Sequence, residues 1–163
     1  MDLFPPDQET GTAAYAHCCR DGKLREALQA IACEFAPFAD DDFAARFPFE
    51  TTQRFWEMCI LLTLRRRGLC VSAPKKHSVD GKRVNGGPDV QIDGHPKIWV
   101  ECVAAGPGDG PDGVAPHPDG FGTFPLVRSD IDLRIAAAMD EKRKKLGTYA
   151  SKGIIGAGDS CVI

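Results

Sequence analysis

Two short apolar runs, DVQID at 89–93 and KIWVECVAA at 97–105, are separated by only three residues, Gly94 among them. So short a link calls for a tight antiparallel hairpin, with Asp93-Gly94 as its turn signal. A hairpin commits the chain to a sheet, and strand alternation then sorts the side chains by face. Trp99, Glu101 and Val103 fall on one side; Ile98, Val100 and Cys102 fall on the other. Glu101 thus stands among apolar neighbours, where a carboxylate has to be paired, hydrogen-bonded or bound to a cation, because an isolated buried charge is too costly. Asp89, after Pro88 at the start of the first run, can be brought beside Glu101 by hairpin pairing. Two carboxylates held together repel unless a proton or a cation intervenes.

Around this hairpin the sequence reads as α/β, a small mixed sheet flanked by helices. LCVSAP at 69–74 is a further strand, and KKHSVDGKRVNGG at 75–87 a polar loop or ragged hairpin. A first helix follows Asp21, a suitable N-cap, with Leu24, Leu28, Ile31 and Phe35 at helical spacing. Asp40 to Asp42 suit the start of a short helix. A second long helix runs through TTQRFWEMCILLTLRRRG, capped by Thr51 or Thr52, with Arg65 to Arg67 at its C-terminal dipole and Gly68 ending it. Phe55, Met58, Cys59 and Leu62 form its apolar stripe, widened by Trp56, Ile60 and Leu64. Residues 106–125 hold 6 Gly and 5 Pro, too many for a regular element. A last helix over 129–153, capped by Ser129 or Asp130 and ending near Gly147 or Gly153, leads to SCVI, which reads as the beginning of a strand. That strand is expected to be cut short, so the sequence is read as truncated or unusually short.

Composition excludes whole classes of function. The chain is 163 residues, 43% apolar and 26% charged, without an apolar stretch approaching the ~20 residues that cross a bilayer. The N-terminus MDLFPPDQET lacks a secretory pattern, so one cytoplasmic domain without a membrane partner is expected. Seven cysteines, at 18, 19, 33, 59, 70, 102 and 161, form no CxxC pair. They are expected to be mostly small buried hydrophobes, Cys59 and Cys102 included. The net charge is -3, yet residues 1–50 carry 4 basic and 10 acidic side chains while residues 51–163 carry 16 and 13. That imbalance permits a local polyanion site in the second part. His77, His95 and His117 have no ligand spacing, and Asp109, Asp112 and Asp119 lack the alternation of a calcium loop.

A paired Asp and Glu suit magnesium or manganese, since a hard cation takes one or two carboxylates, several waters and substrate phosphate oxygens. The chemistry implied is metal-assisted hydrolysis of a phosphate ester. Pro88-Asp89, eleven intervening residues and Glu101 in an apolar strand resemble the metal-binding half of the PD-(D/E)xK nucleases, the restriction-endonuclease-like superfamily. The order of elements from 51 to 163 is similar to that core, and residues 1–50 would be an added helical extension packed on it. The resemblance implies a metal-dependent nuclease acting on DNA, with no organic cofactor. By position it makes Asp89 and Glu101 ligands of Mg2+ or Mn2+, adds the carbonyl of Cys102, and gives Glu57, on the preceding helix, an auxiliary acid's role. At 103 the superfamily's pattern has a lysine and this chain has Val. Ile131, Ile135, Ala138, Lys142, Leu146 and Tyr149 share one helix stripe, so Lys142 is the candidate for a displaced lysine, while Arg143, Lys144 and Lys145 are expected to reach solvent.

Each residue has a plainer role available: a strand-start turn for Asp89, a helix-surface acid for Glu57, a snorkelling side chain for Lys142. Val103 also favours a different function, a non-catalytic nuclease-fold protein that binds nucleic acid or a protein partner. A structural polar network around Asp89 and Glu101 in an unrelated α+β domain is the third reading.

Overall fold

A computed structural model describes residues 1–8, 10–72, 76–79, 82–106 and 128–163. Helix α1 (Ala13–Arg20) starts at Thr12, whose hydroxyl accepts from the Tyr15 N–H, and no apolar periodicity in the sequence announced it. Asp21 caps α2 (Gly22–Phe35) as expected, accepting from Lys23 N and Leu24 N. A single 3-10 turn (Ala36–Phe38) and the short α3 (Phe43–Arg46) lead into α4 (Thr51–Arg66), and Gly68 ends it with φ 83, a left-handed conformation that a Cβ disfavours.

The sheet is mixed and small, in the order β1 (Val71–Ser72), β4 (Val90–Ile92), β5 (Ile98–Val100), β6 (Ser160–Val162). β4 and β5 are the expected antiparallel hairpin, with Val90 opposite Val100 and Ile92 opposite Ile98. β6 runs parallel to β5, which requires a long crossover, and α5 (Arg128–Ser151) provides it. β2 (Lys76–Val79) and β3 (Lys82–Asn85) pair with each other as a separate antiparallel ribbon, the more regular of the two forms expected for 75–87.

Two apolar clusters hold these elements. The larger joins Leu3, Phe4, Tyr15, Phe35, Phe43 and Phe47 to Met58, Leu61 and Leu62 of α4 and reaches Val90 in the sheet. The smaller gathers Trp99, Leu146, Tyr149, Ile154 and Ile155 where α5 covers the sheet. Asp159 ties its edge together, accepting from Trp99 Nε1 at 2.8 Å and from Gly156 N at 2.8 Å.

Several expectations need correction. Glu50, not a threonine, stands at the N-cap of α4, and the Thr51 hydroxyl instead donates to the Phe47 carbonyl at 2.9 Å. Met58 and Leu62 of the expected α4 stripe are buried, but Phe55 and Cys59 are only part-buried, and the buried face shifts to include Thr51, Arg54, Glu57 and Leu61, with Arg54 and Glu57 buried as an ion pair. Trp56 is largely exposed. α5 already runs at Arg128, so neither Ser129 nor Asp130 precedes it, and its stripe is buried at Ala138, Leu146 and Tyr149 but exposed at Ile135. Cysteines 19, 33, 70 and 161 are exposed, and only Cys18 and Cys102 are buried. The Gly/Pro-rich stretch beyond Gly106, with Asp109, Asp112, Asp119 and His117, lies outside the described residues, as do residues 73–75. Among the described residues no helix is long and apolar enough to cross a membrane.

Candidate active site

Asp89 and Glu101 extend the β4–β5 pairing one step beyond Val90 and Val100, so the hairpin sets them opposite one another. Each is fixed by the backbone of its neighbour strand. The Cys102 N–H donates to Asp89 Oδ2 at 2.7 Å, and the Glu101 N–H donates to the Val162 carbonyl at 2.9 Å. Burial first, then the charges of Glu101 and Glu57, push the Asp89 carboxyl up to about 7; Lys142 and the Cys102 N–H oppose the rise.

The Glu101 side chain is 0% exposed. Its Oε1 accepts from Lys142 Nζ at 2.9 Å and from Lys145 Nζ at 2.6 Å, both reaching in from α5. Its Oε2 is buried and has no hydrogen-bond partner among the described residues. Burial works against the Lys145 charge, but the hydrogen bond and the charge of Glu101 outweigh it and raise the ammonium pKa above its ordinary value. Lys145 reaches solvent as expected, with its side chain 44% exposed, but its ammonium also turns back to Glu101, which was not foreseen. Arg143 and Lys144 lie outside as well, both bound to Asp140 at 2.8 Å. Lys142 and Lys145 are three residues apart and share a helix face, which is the signal that pointed to the second lysine.

Glu57 is buried on α4 but its charge is already matched. Its Oε2 accepts from Arg54 at 2.9 Å, and its Oε1 accepts from Gln53 Nε2 at 3.1 Å. Gln53 Nε2 also donates to the Cys102 carbonyl at 3.0 Å, and Gln53 Oε1 accepts from the Ala104 N–H at 3.1 Å. One amide thus links Glu57 to the carbonyl expected to serve as a ligand, and it takes the place of a neighbouring strand at the end of β5. Gln53 and Arg54 were not foreseen, although Gln53 stands one helical turn before Glu57.

Val103 lines an apolar groove of about 630 Å³ with Trp56, Ile60 and Val162. Val103 is part-buried there, and a lysine at this position would cross apolar surface before its ammonium reached water. The Cys102 thiol is pushed up by burial, then by Asp89, so it is a core group without nucleophilic character. Among the described residues no three His, Cys, Asp or Glu side chains gather closely enough to hold one ion. What the site offers is a carboxylate pair, one oxygen of it unpartnered, together with two ammoniums. That all-oxygen donor set fits a hard cation that completes its shell with water. No protein-family model, no curated protein and no solved structure matches the chain.

Proposed function

We propose that the chain is a metal-dependent, nuclease-like hydrolase of DNA phosphodiester bonds, built on a restriction-endonuclease-like core and working in the cytoplasm. The observation that carries this reading is Glu101: a fully buried carboxylate, opposite Asp89, with one oxygen held by lysines and the other left without a partner. An unsatisfied buried carboxylate oxygen is costly, and a cation at the acid pair would remove that cost. A Mg2+ or Mn2+ ion held by Asp89 and Glu101 would supply Lewis acidity toward a phosphoryl oxygen and a more acidic bound water.

The protein's own groups do the rest. Without a cation, burial and the neighbouring acids push Asp89 up to about 7, so a bound ion would have to displace its proton and hold it as a carboxylate ligand. Lys142 and Lys145 bring to Glu101 the positive charge that position 103 does not supply. Glu57, held by Arg54 and Gln53, adds negative field at Asp89 and fixes the strand end. The segment 75–87, with Lys75, Lys76, Lys82 and Arg83 against Asp80, leads directly to Asp89 and suits a polyanionic substrate.

Calorimetric titration with magnesium and manganese of the wild type, Asp89→Ala and Glu101→Ala, followed by a DNA cleavage assay, tests the proposal. Binding by the wild type and loss in both variants is expected. No binding at millimolar metal, with DNA present, refutes it. The pairing of Glu101 with two ammoniums favours a second reading, a nuclease-fold protein that binds its partner without cleaving it.

A further inference from the structure

The two lysines on Glu101 are not equivalent. Both ammoniums reach the same oxygen, at 2.9 Å and 2.6 Å, although a single carboxylate needs only one counter-ion. Lys142 is the inner of the two, 19% exposed against 44% for Lys145. Both charges also bear on the Asp89 carboxyl, so it is depth, not reach, that separates the two lysines. Lys145 lies toward solvent, with its ammonium 5.7 Å from the centre of the Tyr149 ring. Its neighbours Arg143 and Lys144 are engaged by Asp140, so Lys145 is the solvent-side cation of that turn directed at the site, with Lys142 behind it.

An ammonium on a four-carbon stem is a compact charge with three donors, so it can turn from one oxygen to another without rearranging its backbone. Were Lys142 to leave, Glu101 would lose its buried counter-ion; were Lys145 to leave, Lys142 would still hold Oε1. We propose that Lys145 is the anion-receiving group at the mouth of the site, exchanging Glu101 Oε1 for a non-bridging phosphate oxygen, while Lys142 remains the fixed counter-ion that positions Glu101. The substrate class is then a phosphodiester whose charge enters past α5. This assignment rests on the hydrolase reading for its purpose, but not for its test.

The experiment follows lysine side-chain NMR signals of the full chain, without added metal, during titration with inorganic phosphate, for the wild type, Lys142→Gln, Lys145→Gln and Lys145→Arg. Thermal melts of each variant and cleavage of a DNA duplex with magnesium accompany it. Phosphate is expected to move the Lys145 signals and leave those of Lys142 in place. Lys145→Gln should lose the phosphate response, melt within about 2 °C of the wild type, and raise KM about tenfold, as removal of a charge-assisted hydrogen bond does. Lys145→Arg should recover much of that affinity, and Lys142→Gln should lower the melting temperature and kcat instead. Equal movement of both lysines, or an unchanged phosphate response in Lys145→Gln, overturns the assignment even where cleavage is intact. A Lys145-dependent phosphate response in a protein that cleaves no DNA with any metal supports the anion site and refutes the hydrolase reading.

Discussion

The helical part of the molecule and the sheet around Glu101 bury their side chains to different ends. Around α1, α2 and α4 the interior is mainly aromatic and aliphatic: Phe4 stacks on Tyr15 at 5.5 Å, Phe35 meets Phe43 at 4.9 Å, and Leu3 and Phe47 are 0% exposed. Under α5 the apolar cluster is five residues, and the neighbouring fully buried group is a carboxylate. Burial in the first region is gained from removing apolar area from water. In the second, a small core spends part of that gain on keeping a charge inside. The aromatic core and the buried charge are thus held by separate sets of residues, with α4 shared between them.

The largest effect that separates the two regions comes from Phe47→Ala. It should cost about 3–5 kcal/mol in urea unfolding, as cavity-forming aromatic truncations do, while any folded fraction keeps its cation affinity. A comparable loss of cation affinity would show that the regions are coupled. Next is pH. Asp89 has its folded pKa near 7, above the ordinary value of 3.8, so between these limits the folded state holds a proton that the unfolded state has released. Stability should therefore fall as pH rises from about 4 to about 7, by up to about 1.4 kcal/mol per unit, and level off above that. Asp89→Asn should abolish this slope in melts taken across the range.

Glu101→Gln is expected to cost less than Phe47→Ala, since the amide can still accept from Lys142 and Lys145 is already 44% exposed, while cation binding by calorimetry disappears. A loss as large as that of Phe47→Ala would make Glu101 a structural ion-pair member and erase the contrast between the regions. Smallest is Val103→Lys. It should destabilise by about 1 kcal/mol and leave cleavage unimproved, because the groove that holds position 103 is apolar. A gain in kcat would place the missing lysine back at 103.

The hairpin, the Asp21 cap and the Gly68 stop were legible because each depends on local chemistry that three or four residues decide. The pairing of Asp89 with Glu101 was legible for the same reason, since turn length sets strand register. The buried face of α4 was legible only in part: periodicity found Met58 and Leu62, but it counts Phe55 and Cys59 as inside and has no means of seeing that Arg54 and Glu57 neutralise each other there. That Lys145 reaches solvent was legible from its helix, but its bond to Glu101 was not, because the partner lies on a strand 44 residues away. The end of β5 was placed too far on because a side-chain amide, that of Gln53, stands in for a neighbouring strand at Cys102 and Ala104.

The parallel pairing of β5 with β6 sets a schedule for the chain as it is synthesised. Glu101 leaves the ribosome well before Lys142, Lys145 and the Val162 carbonyl that binds its N–H. Until those residues emerge, the carboxylate can only face water, and the arrangement at Oε1 does not exist. The site is therefore joined from distant stretches of chain: α5 supplies the ammoniums at Oε1, and β6 supplies the carbonyl that holds the Glu101 backbone.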